Sequence, residues 1–490
     1  MAICLFCLAF QRHAFMQMTY KHVVGTIAVL LCMAGSRVAF SQEPQVLRPT
    51  LAMEPAVFDY EAETKLRLDE MSAELAALKE QVAQTTSKPT SKGWSPVKVN
   101  GRFFMDYITS PGNDWDGIGA LNPSPTTPYD SAKNWSGMRE ARIGLSGTGY
   151  GFLDYKLELG FEKSNSASYK DVFFGIKNVP ILEYVRVGHQ YVEDAGSEIC
   201  NGTTNYTFME APAPAGQYFT SRRVGISSRH LFANDCGRLF LGIYDAQNIS
   251  DLHFVKDDNQ GIVFNSRLTY TPCFAHEGRN MLLVGAYYRA TFLSEGTVQI
   301  ARPRPGGWSV YDIDNFGSYN SDRQQKAGFE AAYQCGRLCL QTDLFMQQYS
   351  DVHDASVALG DQTSYGGFVM ARWFLTKDFR KYNQQNACWN GVDVSCPFRC
   401  VKNHGTNDPC GFGAWEVAGM YGFYDNFRLD SSKGDMKPKN QQIGVALNWY
   451  WNPNVKWAVN YIHDMTDTKY ANVNYSPTGD YLGMSCRIAF

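Results

Sequence analysis

The last ten residues of the chain, Tyr481-Leu-Gly-Met-Ser-Cys-Arg-Ile-Ala-Phe490, constrain the fold more than any other stretch. Leu482, Met484, Cys486, Ile488 and Phe490 share one face of an extended segment, while Gly483, Ser485, Arg487 and Ala489 share the other. A period of two is the mark of a strand with one apolar and one polar face. A strand of about ten residues, apolar outward, polar inward and ending on an aromatic residue, is the unit of an outer-membrane barrel. An edge strand of a soluble sandwich would show the same alternation, so the rest of the chain decides between the two.

The N-terminus argues for export. The run Val23 to Ala34 follows Lys21 and His22 and is too short to span a bilayer. It leads into the small-residue site Ser36-Arg-Val-Ala-Phe-Ser41. Residues 1–41 therefore read as a secretory signal peptide cut near Ser41–Gln42, with Met18 as the expected start. No other run resembles a spanning helix, so a membrane role falls to strands, which satisfy their backbone in lipid only as a closed barrel. The 43 glycines and 14% aromatic content suit tight turns and interfacial girdles. A net charge of -3, spread evenly, argues against a nucleic-acid partner.

Residues 58–84 follow a different period. Leu68, Met71, Leu75, Leu78 and Val82 step by three and four, the seam of a short α-helical coiled coil. So few heptads are marginal alone, so an oligomeric body is expected to support them. The alternative is a single amphipathic helix lying on its own domain. Residues 85–96, with two prolines, read as a polar linker.

From Val97 onward the pattern is strands and turns. In Phe152–Phe161, Tyr155, Leu157, Leu159 and Phe161 alternate with Lys156, Glu158 and Gly160. In Ile443–Trp451 the apolar set is Ile443, Val445, Leu447, Trp449 and Trp451. Strands are predicted over 97–110, 137–147, 152–163, 169–179, 184–194, 222–232, 238–247, 261–271, 279–292, 325–334, 337–350, 363–376, 413–426, 441–452, 455–465 and 481–490. The even total fits a 16-stranded antiparallel transmembrane β-barrel preceded by the coiled coil. With the C-terminus, short turns and coiled coil taken as periplasmic, Asn234–Gly237, Cys335–Arg337 and Asn452–Val455 are tight turns. Connections 111–136, 195–221, 293–324 and 466–480 then lie on the outer side, and the Cys-rich insert 377–412 on the periplasmic side.

Several segments, in order, resemble one known family. They are Met138-Arg-Glu-Ala-Arg-Ile-Gly-Leu-Ser146, Tyr155-Lys-Leu-Glu-Leu159, Val185-Arg-Val-Gly-His189, Phe208-Met-Glu210, Arg222-Arg-Val-Gly225, Gly413-Ala-Trp-Glu416 and Leu447-Asn-Trp-Tyr-Trp-Asn-Pro-Asn454. Together they look like the phosphate-selective porins O and P, over about residues 97–490. The resemblance implies a homotrimeric anion channel of the cell outer membrane, with residues 195–221 folded inward as the constriction. It also implies lysines and arginines in that loop. Residues 195–221 hold neither, and carry Glu198 and Glu210 instead.

Strand parity places Arg142, Arg186, Arg223, Arg229, Arg267, Arg289 and Arg372 on the inward face, with Lys156, Lys326 and Lys456. The planar arginine fork suits phosphate-like anions, and rows of such charges set pore selectivity. Glu140, Glu158, Glu162, Glu330, Asp343 and Glu416 face inward as well, so many of these charges are expected simply to pair across a hydrated wall. Arg142, Arg186, Arg223 and Arg289, nearest the outer half, and Arg222 beside loop 195–221 are the candidate anion contacts. The expected partners are small anions and outer-membrane lipid, with weak anion preference. The alternatives are an unselective porin or a structural barrel anchored by its stalk.

Ten of the 13 cysteines follow the signal peptide. Cys200, Cys236, Cys273, Cys335, Cys339, Cys388, Cys396, Cys400 and Cys410 fall in or near loops and turns, and an oxidising compartment predicts disulfides of open connectivity. Cys396, Cys400, His404 and Cys410 lack the paired knuckle of a zinc site. No nucleophile elbow, metal-binding helix or phosphate loop is present, so neither cofactor nor metal is expected and an outer-membrane enzyme is a minor alternative.

Overall fold

The computed structural model describes residues 93–113, 134–163, 166–212, 219–246, 261–292, 297–299, 318–353, 358–399, 411–425, 429–431, 434–436, 439–470, 473–476 and 478–490. The signal peptide, the coiled coil 58–84 and most of the linker lie outside them.

Sixteen strands form one antiparallel ring. They are β1 (Lys98–Asn113), β2 (Asn134–Gly149), β3 (Leu153–Lys163), β4 (Ser166–Val179), β5 (Glu183–Tyr191), β6 (Arg222–Phe232), β7 (Gly237–Asp245) and β8 (Ile262–Ala275). Then come β9 (Asn280–Phe292), β10 (Arg323–Cys335), β11 (Leu338–His353), β12 (Ala358–Phe374), β13 (Ala414–Asp425), β14 (Lys439–Asn452), β15 (Val455–Tyr470) and β16 (Thr478–Ala489). Each pairs with the next in the chain. The ring closes where β1 pairs β16, from Arg102 opposite Ala489 to Asn113 opposite Gly479. Closure leaves no free sheet edge.

All sixteen predicted strands are present, and several run longer at the end away from the short turns. There β15 reaches Tyr470, and small hairpins pair Thr297–Gln299 with Ser318–Asn320 and Leu429–Ser431 with Gly434–Met436. The opposite end carries tight turns at 150–152, 180–182, 336–337 and 453–454. Gly336 takes a positive φ of 60°, which a two-residue turn requires and glycine supplies without strain.

Alternation holds around the ring. Ile226, Ile243, Val445, Met105 and Trp373 are exposed on the outer surface, while Glu140, Arg267, Asn448 and Asn460 are buried on the inner one. Phe490 continues the closure: its amide and carbonyl each bond Gly101 at 2.9 Å. Its ring lies over Gly101, where any Cβ would come within 2.6 Å of it. Trp94, expected in the linker, bridges Gly149 and packs edge-on against Tyr150 and Tyr155.

Candidate functional site: the barrel lumen

The inner wall differs from sector to sector. On β3 and β4 some charged side chains keep partial access to solvent, 27% for Lys156, 20% for Lys170 and 15% for Glu162, while Glu140, Glu158, Asp171 and Arg222 beside them are buried. On the opposite side Arg267 and Glu416 have none. Two segments inside the barrel cause this difference.

The first is the β5–β6 connection, which lies against the inner wall. Its backbone is tied to strand side chains one after another. Asp343 accepts from the Gly196 amide at 2.7 Å and Glu330 from the Ser197 amide at 2.7 Å. Further along, the Thr207 carbonyl accepts from Asn448, the Tyr206 carbonyl from Lys456, and Asn460 takes the Met209 amide. Ile199, Phe208 and Met209 pack on an apolar patch of the inner wall that includes Phe345, Phe368, Met370, Met420 and Ile462. Burying such side chains contributes about 1.5–3 kcal/mol each, so the loop is seated by apolar contact as well as by polar ties. The two carboxylates within residues 195–221 are neutralised. Glu198 lies 3.7 Å from both Arg372 and Arg380, and Glu210 pairs with Arg139.

The second segment is the hairpin of the β12–β13 connection. From the sequence, the insert 377–412 is expected on the periplasmic side, with the short turns. Its ends are at that end, but Arg380–Asn383 and Cys388–Val392 pair as an antiparallel hairpin inside the lumen. Trp389 and Tyr382 pack with inward-facing Met281, Leu283, Ala332 and Cys339. Trp389 is fully buried, meets Tyr382 edge-on at 5.2 Å, and lies under the Arg372 guanidinium at 4.3 Å. These aromatic and aliphatic residues cannot sit in water at low cost, which is why the insert turns inward. Gly278, at φ 94°, lets Tyr382 approach, since a Cβ there would meet that of Tyr382 at 3.0 Å.

The candidate arginines divide by partner. Arg142 is held by Glu162 at 2.6 Å, Glu140 at 2.8 Å and Glu158 at 3.5 Å. Arg222 pairs with Asp171 at 2.5 Å and covers the Tyr191 ring. Arg289 pairs with Asp194 at 2.6 Å and also bonds Thr220. Arg223 instead donates to the carbonyls of Ala246, Thr220 and Arg222. Arg186 stacks on Phe173 at 4.4 Å, and its Nε has no hydrogen-bond partner among the described residues. Arg229, beside it over Tyr184, donates to Gln385 and Asn386 of the hairpin. Charge pairing thus accounts for three of the five candidates, and Arg186 and Arg223 have no ion-pair partner among the described residues.

Sequence reasoning missed Arg102, which bridges Glu140 at 2.7 Å and Glu158 at 3.3 Å. Its inward parity on β1 was the available signal. Across β1–β6 a zipper therefore runs from Arg102 through Glu140, Arg142 and Glu162 to Lys170, and from Lys156 through Asp171 to Arg222.

The described cysteines, Cys200, Cys236, Cys273, Cys335, Cys339, Cys388, Cys396 and Cys486, form no disulfide. Burial pushes the Cys388 thiol up to about 11. Cys400, His404 and Cys410 lie outside the described residues, and among the described residues no three potential metal ligands come together.

A closed sixteen-stranded barrel with a charged, partly hydrated inner wall and an infolded loop defines a porin of the outer-membrane type. The sequence matches the family model of the phosphate-selective porins O and P over residues 119–490. The chain belongs to that family. Among solved structures it is similar to the outer-membrane channel DcaP of Acinetobacter baumannii, at 9% identity over 82% of this chain and 99% of that one, TM-score 0.47. It is similar to the trimer form of OmpT of Vibrio cholerae, at 10% identity over 81% and 100%, TM-score 0.45. An anion-selective porin from Comamonas acidovorans aligns at 13% identity over 81% and 100%, TM-score 0.45. No curated protein matches the chain.

Proposed function

We propose that this porin lets small anions, phosphate among them, diffuse passively along the β2–β6 wall, with weak preference over cations. The observation that carries the reading is the charge of that wall. Its zipper leaves no unpaired carboxylate to favour cations, while Arg186 and Arg223 add positive charge with no ion-pair partner among the described residues. The acidic residues of the infolded loop do not oppose this, because Glu198 and Glu210 are paired. A paired wall attracts weakly, and weak attraction permits release. Transport needs no covalent step and no energy source.

The reading extends to assembly and orientation. The heptad seam at 68–82 and the family support a homotrimer with its stalk, C-terminus and short turns in the periplasm. The test is the reversal potential of the reconstituted protein across a planar bilayer in a potassium chloride gradient. Anion preference is the expected result, and cation preference would discard the assignment. The two segments inside the lumen favour a second reading, a structural barrel that conducts little. Absence of any conductance would select it.

A further inference from the structure

We propose that the Arg380–Val392 hairpin is a second constriction, which limits the size of the pore and masks positive charge at its short-turn end. The proposal rests on the reading of the barrel as a conducting pore.

A sixteen-stranded barrel by itself encloses an aqueous channel. The hairpin crosses it. Near its base Arg380 donates to the Tyr450 hydroxyl on β14 at 2.9 Å and pairs with Glu416 on β13 at 3.4 Å. At its tip the Gln385 carbonyl accepts from Arg229 on β6 at 3.2 Å and from Arg238 on β7 at 2.9 Å. Ala387 accepts from Arg267 on β8 at 2.9 Å, and Gln384 donates to Thr271 at 2.6 Å. Strands β6 and β14 are eight apart in a ring of sixteen, so base and tip rest on opposite walls.

The hairpin also locks to the infolded loop. Asn201 and Asn205 both donate to the Trp389 carbonyl, at 2.7 and 3.2 Å. Arg380 returns two bonds, to the Asn205 carbonyl at 2.9 Å and the Thr207 hydroxyl at 3.0 Å. Loop and hairpin cover most of the β7–β15 side and touch β2 and β6, which leaves Lys156, Glu162 and Lys170 on β3 and β4 as the accessible wall. The tip brings only carbonyls and amides to these arginines; Arg238 pairs with Glu193 and Arg267 with Glu193 and Glu330, so the positive charge the tip covers is that of Arg229, which has no ion-pair partner among the described residues.

Two outcomes follow from removing it: a wider pore and more exposed positive charge. In one variant, Lys381–Gly391 is replaced by a two-residue Asn-Gly turn, which suits the paired ends Arg380 and Val392. In the other, the full-length chain carries Trp389→Ala. Both are inserted in planar bilayers beside the wild type, with heat-modifiable gel migration confirming a folded barrel. The expected result for the shortened chain is conductance raised on the order of twofold, because the hairpin spans the whole diameter, and a reversal potential shifted towards anions. Unchanged conductance in both folded variants, with a conducting wild type, would overturn the hairpin's role and leave the porin reading intact. A silent wild type beside a conducting variant would support the hairpin as the occluding element and sink the porin reading. Silence in all three would overturn both.

Discussion

Arg142 offers a quantitative test of the charged wall. Replacing it with alanine leaves Glu140 with Arg102 at 2.7 Å and Glu158 with Lys156 at 2.8 Å. Glu162 keeps only Lys170 at 3.4 Å, and its carboxylate has partial access to the lumen. The wall therefore loses one positive charge beside the solvated path. At an effective dielectric of about 20, a unit charge about 8 Å from a passing ion acts with roughly 2 kcal/mol. Screening over one Debye length at physiological salt cuts this to about 0.8 kcal/mol. An anion's local occupancy should then fall roughly fourfold, and a cation's should rise by a similar factor. The assay is reversal potential in a salt gradient, wild type against Arg142→Ala, at about 0.15 M and again near 1 M, where the Debye length is about 3 Å. A shift towards cations at the lower salt that fades at the higher is expected. An equal shift at both, or none, would refute an electrostatic role for this wall.

Two further outcomes follow from packing. Trp389→Ala should cost the docked hairpin about 3–5 kcal/mol, the range for emptying a fully buried aromatic site, and Cys388, half-buried in the wild type, should then react faster with a maleimide in the folded barrel; in the wild type its raised thiol pKa slows the reaction. Val445→Arg, on the exposed outer face near the middle of β14, should destabilise the barrel by about 2–4 kcal/mol in urea titrations in liposomes. Asn448→Arg would have no lipid to meet and should fail differently, by breaking the bonds to Glu416 and the Thr207 carbonyl.

The wall was legible because alternation is a local property. Each strand carries its own facing in its residues, and closure follows from an even number of such strands. Strand ends were less legible. Ala358-Leu-Gly-Asp-Gln362 and Thr466-Asp-Thr-Lys-Tyr470 are hydrogen-bonded strand without the apolar stripe that marks lipid. The contents of the lumen were the least legible, because loop and hairpin are placed by partners far away in sequence, such as Asn460 for Met209 and Arg267 for Ala387. One signal was available. On β12, Phe368, Met370 and Phe374 point inward while Val369 and Trp373 point outward, so the segment is apolar on both faces. A wall wetted on its inner side would not be, and such a strand implies something packed inside. In the insert, Tyr382, Trp389, Val392 and Val394 sent the same message against an otherwise polar background. Pairing was the harder question at the arginines. Parity located Arg142 and Arg289, and nearness to loop 195–221 pointed to Arg222, but only the register between strands and the return of the loop bring Glu162, Asp194 and Asp171 to them.

The central claim is that water and ions pass along the β2–β6 wall and not along the opposite side. Thiol modification during single-channel recording tests it most directly. Lys170→Cys places a thiol on the accessible wall, and Asn448→Cys places one under the infolded loop. A water-soluble charged methanethiosulfonate added to each should reduce the conductance of Lys170→Cys stepwise and leave Asn448→Cys and the wild type unchanged. Block through Asn448→Cys with none through Lys170→Cys would put the path on the other side of the barrel and contradict the account.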